Sequence, residues 1–147
     1  MNGDGWINSN PTRVALNRDR HEILPMRTVA VIGAHNDRSR FGNKAVRAFL
    51  RHGFQVFPVN PKETTIEGLP AYRSIADIPV RPEMVTVYVR PQILIDLLPE
   101  IARKGCDELW LNPGTVSDEV LNLASELNLN VIQACSIIAL DVSPSTL

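Results

Sequence analysis

Apolar residues fall along this chain in two alternating rhythms, and the alternation predicts the fold. Short runs of apolar and β-branched residues occur at Thr28–Ile32, Gln55–Val59, residues 84–89, Glu108–Leu111 and residues 130–132. Such near-continuous runs read as strands buried on both faces. Between most of them the spacing changes to the helical period. Ala45, Val46, Phe49 and Leu50 share one helix face, closed by Gly53. Ile93, Leu94, Leu97, Leu98, Ile101 and Ala102 share another, closed by Gly105. Val120, Leu121, Ala124 and Leu127 make a third, entered through Ser117-Asp118-Glu119 and left at Asn128. A shorter helical turn starts at Ser74 and ends before Pro79. Polar caps in front and glycine or asparagine behind are the usual helix punctuation. The pattern predicts a single doubly wound α/β domain, its mainly parallel sheet of about five strands covered by helices on both faces.

Residues 1–27 break the rhythm. Gly3, Gly5, Asn2, Asn8, Asn10, Pro11 and the mixed charges Arg18, Asp19, Arg20, His21 and Glu22 surround few apolar positions. This stretch reads as an N-terminal extension, flexible or packing on another surface, with Trp6 and Ile7 as anchors; Met26 is a second candidate start. The domain proper is then 28–140, with a C-terminal tail at 141–147. A chain of 147 residues suits one domain with a real core, and a net charge of -1 gives no general reason to expect nucleic acid or a membrane as partner. Two cysteines, Cys106 and Cys135, have neither metal-ligand spacing nor the density of a disulfide scaffold, which points to reduced thiols and a cytoplasmic location.

In open α/β sheets the ligand sits beyond the carboxyl ends of the strands. The loop at residues 33–42 follows an apolar strand with Gly33, Ala34, His35 and Asn36, carries Arg38, Ser39 and Arg40, and reaches Gly42 as a helix opens. A strand, a glycine and a helix N-terminus together make a phosphate cradle, because the helix offers unpaired N–H groups and the positive end of its dipole. The loop is longer than the dinucleotide fingerprint allows, and Lys44 adds a further cation. The second strand ends Pro58-Val59-Asn60-Pro61-Lys62, with a lysine near the place where NAD recognition uses a carboxylate. That excludes NAD more firmly than it separates NADP from coenzyme A. Val89-Arg90-Pro91 starts the next helix with a proline at the first position, and Asn112-Pro113-Gly114 exposes backbone at the sheet rim.

These residues resemble the CoA-binding domain family, the Rossmann-like module at the N-terminus of the succinyl-CoA synthetase alpha subunit that also occurs as small stand-alone bacterial proteins. The likeness is carried by Gly33-Ala34, Gly42, the stretch from His52 to Lys62, Val89-Arg90-Pro91 and Asn112-Pro113-Gly114, in the same order over roughly residues 28–140. The resemblance implies that Gly33, Ala34, His35, Asn36 and the residues to Gly42 wrap the CoA diphosphate. It implies further that Lys62 lies near the adenosine 3'-phosphate, that Val89 to Pro91 flank the nucleotide, and that Asn112 to Gly114 approach the pantetheine side. His35 departs from the serine common in the family, and an imidazole donates fully only when protonated, so a contact by His35 predicts CoA affinity that weakens as pH rises.

Related acyl-CoA synthetases use a phosphorylated histidine on a separate domain, and His21, His35 and His52 stand in no such context. No catalytic constellation is legible. Cys135 is placed near the mouth, where it could meet a CoA thiol, although a small buried cysteine is the commoner case. Three functions remain open: a non-catalytic module for CoA or acyl-CoA serving as carrier, sensor or partner subunit; an NADP-binding oxidoreductase or redox sensor; and an assembly scaffold with a degenerate nucleotide site. A homodimer is a further expectation.

Overall fold

The computed structural model of the chain describes residues 14–17 and 22–147. An antiparallel hairpin comes first, β1 (Val14–Asn17) with β2 (Glu22–Pro25), Val14 opposite Pro25. The expected anchors Trp6 and Ile7 lie outside the described residues.

The domain follows as β3 (Thr28–Ile32), α1 (Phe41–Arg51), β4 (Gln55–Val59), a two-stranded ribbon of β5 (Thr65–Ile66) and β6 (Leu69–Pro70), β7 (Met84–Val87), α2 (Pro91–Lys104), β8 (Glu108–Leu111), α3 (Asp118–Glu126), β9 (Val131–Gln133) and α4 (Ser136–Ala139). Single 3-10 turns cover Ile75–Asp77 and Pro144–Thr146. Five strands form one parallel sheet in the order β4-β3-β7-β8-β9. The expected α/β architecture is therefore the observed one. Three of the five strands have the expected bounds. Strand β7 stops at Val87 because the chain must turn into an extended Arg90 ahead of Pro91, and β9 runs one residue later.

Alternation along the strands divides the core. Ala30 and Ile32 of β3, with Val85 and Val87 of β7, face Leu94, Leu98 and Ile101 of α2 and Val120 and Ala124 of α3. Val29 and Val31 face the other way, against Ala45, Val46 and Phe49 of α1 and Ile137 of α4. Each such aliphatic side chain contributes roughly 1.5–3 kcal/mol through burial. The residues after Leu140 also pack there, since Val142 and Leu147 lie against this second core and Lys44 Nζ donates to Pro144 O at 3.0 Å.

Pro58 is tolerated in β4 because this is an edge strand. The edge is covered by the returning chain: Tyr72 N–H donates to Pro58 O and Asn60 N–H to Tyr72 O, both at 2.9 Å. No helix among the described residues is long and apolar enough to cross a membrane.

Candidate functional site

The strand order reverses between β3 and β7, so the connections leaving their carboxyl ends diverge to opposite faces and leave a crevice. Gly33 ends β3 with φ +88°, and a Cβ there would approach the carbonyl carbon of Tyr88 to 3.0 Å. A Cβ on Gly42 would lie 2.0 Å from Gly33 O, so the first turn of α1 sits directly on the strand–loop junction. Only glycine permits either approach. Two clefts open around this junction. The larger, about 610 Å³, is walled by Ile32, Gly33, Ala34, His35, Val59, Asn60, Pro61, Arg73, Ser74, Ile75, Ile93, Leu97 and Glu100. The smaller, about 370 Å³, is walled by Gly33, Phe41, Gly42, Asn112, Pro113, Gly114, Thr115 and Cys135. Arg40, Tyr88, Val89 and Arg90 border both and form the saddle between them.

The helices differ in a way that bears on anions. Helix α1 has Arg40 and α2 has Arg90 at the cap position, and neither has a side-chain cap or an acidic residue in its first turn. Helix α3 is capped by Ser117, whose Oγ accepts from Val120 N–H at 3.1 Å, and carries Asp118 and Glu119. The N–H groups of His35, Phe41 and Gly42 make no hydrogen bond to another described residue. His35 lines the larger cleft, bordered by Arg40, Arg73 and Arg90, and Phe41 and Gly42 line the smaller, bordered by Arg40 and Arg90. Unpaired N–H groups at a helix start suit an anion.

The loop holding these groups is pinned by its own side chains. Asp37 Oδ1 accepts from both Ser39 N–H (3.0 Å) and Ser39 Oγ–H (2.7 Å), which holds the Asp37 carboxyl below the usual carboxylate range. Asn36 Nδ2 donates to Glu63 Oε1 (2.8 Å) and Thr65 O (3.0 Å), away from any ligand. Buried Arg47 donates to Asn43 Oδ1 (2.7 Å) and Arg38 O (2.8 Å), while Arg38 itself pairs with Glu67 at 3.3 Å. His35 Nδ1 accepts from Asp37 N–H at 2.9 Å. That bond places the ring proton of the neutral imidazole on Nε2, which leaves one ring donor there.

Of the sequence-predicted site residues, Gly33, Ala34, His35, Arg40, Gly42, Asn60, Pro61, Val89, Arg90, Asn112 and Gly114 line one cleft or both. Asn36, Arg38, Ser39, Lys62 and Pro91 line neither. Lys62 is exposed, and its N–H closes a turn onto Asn60 Oδ1 at 2.7 Å. Asn60 is spent inside the protein, its Nδ2 donating to Ala34 O at 2.9 Å. Asn112, 1% exposed, is likewise committed. Its Nδ2 donates to Thr86 Oγ1 (2.7 Å) and Val87 O (2.9 Å), and its Oδ1 accepts from Ser136 N–H (2.8 Å). Ser136 Oγ lies 2.8 Å from Thr86 Oγ1 and 2.9 Å from Tyr88 Oη, and burial pushes the Tyr88 phenol up to about 12. Both asparagines shape the rim from beneath. Lys44 is held at Pro144 O, with its ammonium 5.5 Å from the Phe41 ring centroid. Burial raises the Cys106 thiol to about 11, which leaves it an inert packing residue.

Sequence reasoning missed Arg73, Ser74, Tyr88 and Glu100. Arg73 is delivered by the Tyr72 bridge to the edge strand, a pairing between distant segments that no local pattern signals.

Comparison with known proteins follows the same outline. The model of a family described as CoA binding domain matches residues 27–141. The alpha subunit of acetate–CoA ligase (ADP-forming) II of Pyrococcus furiosus is 32% identical over 80 residues, covering 54% of this chain and 18% of that protein. The uncharacterized protein YneT of Bacillus subtilis is 26% identical over 112 residues, covering 76% of this chain and 83% of its own. A solved structure of a hypothetical protein from Pyrococcus horikoshii matches with a TM-score of 0.72 at 29% identity, over 77% of this chain and 80% of that one. The chain spans 11% to 18% of the length of the CoA ligases and the CoA synthase among its curated relatives.

Proposed function

The chain belongs to the CoA binding domain family, and from that premise we propose that it binds coenzyme A or an acyl-CoA across the two clefts, as a non-catalytic carrier, sensor or partner subunit. The observation that supports this most is the pair of uncapped helix N-termini, α1 and α2, meeting at the reversal of strand order with an arginine at each cap. The donor set suits phosphates, and the close seat of Gly42 on Gly33 brings the first turn of α1 onto the junction from which Ala34 and His35 follow. Arg40 and Arg90, shared by both clefts, would hold the diphosphate on the saddle.

The larger cleft, with Val59, Ile75, Ile93 and Leu97 in its walls, suits adenosine. The narrower one, past Pro113, Gly114 and Cys135, suits the pantetheine arm. Bound CoA would supply a thiol for acyl transfer, and this chain's own part is to bind and orient it. His52 lines neither cleft, its Nδ1–H donating to Ala48 O at 2.9 Å, so of the two described histidines His35 alone stands at the site. The alpha-subunit relative motivates a partner subunit as the setting.

Titration calorimetry with CoA, acetyl-CoA and NADPH tests the reading. Saturable binding of the two CoA species and none of NADPH is the expected result; NADPH binding without CoA binding would return the oxidoreductase reading.

A further inference from the structure

Resting on the CoA reading of the clefts, we infer that Arg73, and not Lys62, recognises the adenosine 3'-phosphate. Three arginines border the larger cleft, and their placement separates their tasks. Arg40 and Arg90 also border the smaller cleft, so they stand where a group common to both halves of the ligand must cross. Arg73 borders the larger cleft alone, beside Asn60 and Pro61 at the carboxyl end of β4, where the ribose of an adenosine in that cleft would lie.

Its main chain is fixed. Tyr72, the preceding residue, exchanges hydrogen bonds with β4 through Pro58 O and Asn60 N–H, both at 2.9 Å, so the side chain of Arg73 starts from an anchored backbone. It has no ion-pair or hydrogen-bond partner among the described residues, whereas Arg38, Arg47 and Arg81 are all committed. A planar guanidinium can grip a phosphate monoester through two parallel N–H donors. Lys62, although close in sequence to the same turn, does not line the cleft. Glu100, the one carboxylate among the residues lining this cleft, repels a phosphate from the α2 side and favours the β4 side.

The ligand class that follows is a 3'-phosphorylated adenosine, and the test compares CoA with dephospho-CoA by calorimetry on the full chain. The wild-type chain is expected to prefer CoA by about tenfold or more, the scale of one charge-assisted contact. Arg73→Ala should bring the ratio of dissociation constants close to one by weakening CoA alone. Its unchanged affinity for dephospho-CoA serves as the control for folding. Arg73→Lys should keep part of the preference, and Lys62→Ala all of it. An Arg73→Ala chain that retains the preference, or that loses both ligands equally, overturns the assignment. So does a Lys62→Ala chain that loses the preference, or a wild-type chain that shows none. A wild-type chain that binds neither ligand overturns the CoA reading itself.

Discussion

Tyr88 borders both clefts while its hydroxyl is bonded to Ser136, and burial carries its pKa up to about 12. An unfolded tyrosine ionises at about 10. Between those values the folded chain keeps a proton that the unfolded chain releases. The stability this contributes is complete below about pH 10 and is lost as the pH rises toward 12, by about 2–3 kcal/mol. Tyr88→Phe removes the ionising group together with one hydrogen bond, at a cost of about 0.5–1.5 kcal/mol near neutral pH. Urea unfolding of the two proteins should show the wild-type advantage shrinking above about pH 10 and then reversing. An advantage that stays constant with pH would show that the phenol is not held neutral by the fold. The residue scale is also where the sequence was hardest to read. Gly33 and Gly42 were legible, because a left-handed turn and a close approach each demand glycine, whereas Arg40 and Arg90 were legible only by standing next to a helix start. Asn60 and Asn112 look like ligand-facing amides until their hydrogen bonds are traced inward. Which way an amide points depends on partners such as Ala34 O and Ser136 N–H, 26 and 24 residues away.

Helices α1 and α2 leave their first N–H groups without the help that Ser117 and its neighbouring acids give α3. An N-terminus without a side-chain cap forgoes stability that a bound anion can supply. Arg40→Asp would place a carboxylate at the α1 cap, where it competes with the ligand for the same groups. The variant is expected to gain about 0.5–2 kcal/mol of stability in urea. It should bind CoA at least about tenfold more weakly, through the added negative charge and the lost guanidinium. A variant that is both more stable and unimpaired in binding would show that the ligand does not use the α1 terminus. Elements with a strong period were legible in the sequence, including the caps at Gly53, Gly105 and Ser117. The β5–β6 ribbon and α4 were not, because two- and four-residue elements have no period to detect and exist only through contacts such as Ile66 and Ile137 with the second core.

At the scale of the whole molecule, the order β4-β3-β7-β8-β9 determines that the two clefts share a border instead of lying on opposite edges. Residues from the β3–α1 loop, the return after β6 and the start of α2 reach the larger cleft, and residues after β8 and β9 reach the smaller. A ligand spanning the saddle engages both at once, so each half raises the effective concentration of the other. Any ligand that binds only the folded chain stabilises it, by about 2.7 kcal/mol at a concentration 100 times its Kd. For a domain of this size that is a rise in Tm on the order of 8 °C. Thermal unfolding with CoA should show such a rise, while adenosine 3',5'-bisphosphate and pantetheine, mixed at the same concentration, should give much less. If the mixed halves reproduce the effect of CoA, the saddle does not join the clefts into one site, and the diphosphate is not held between Arg40 and Arg90.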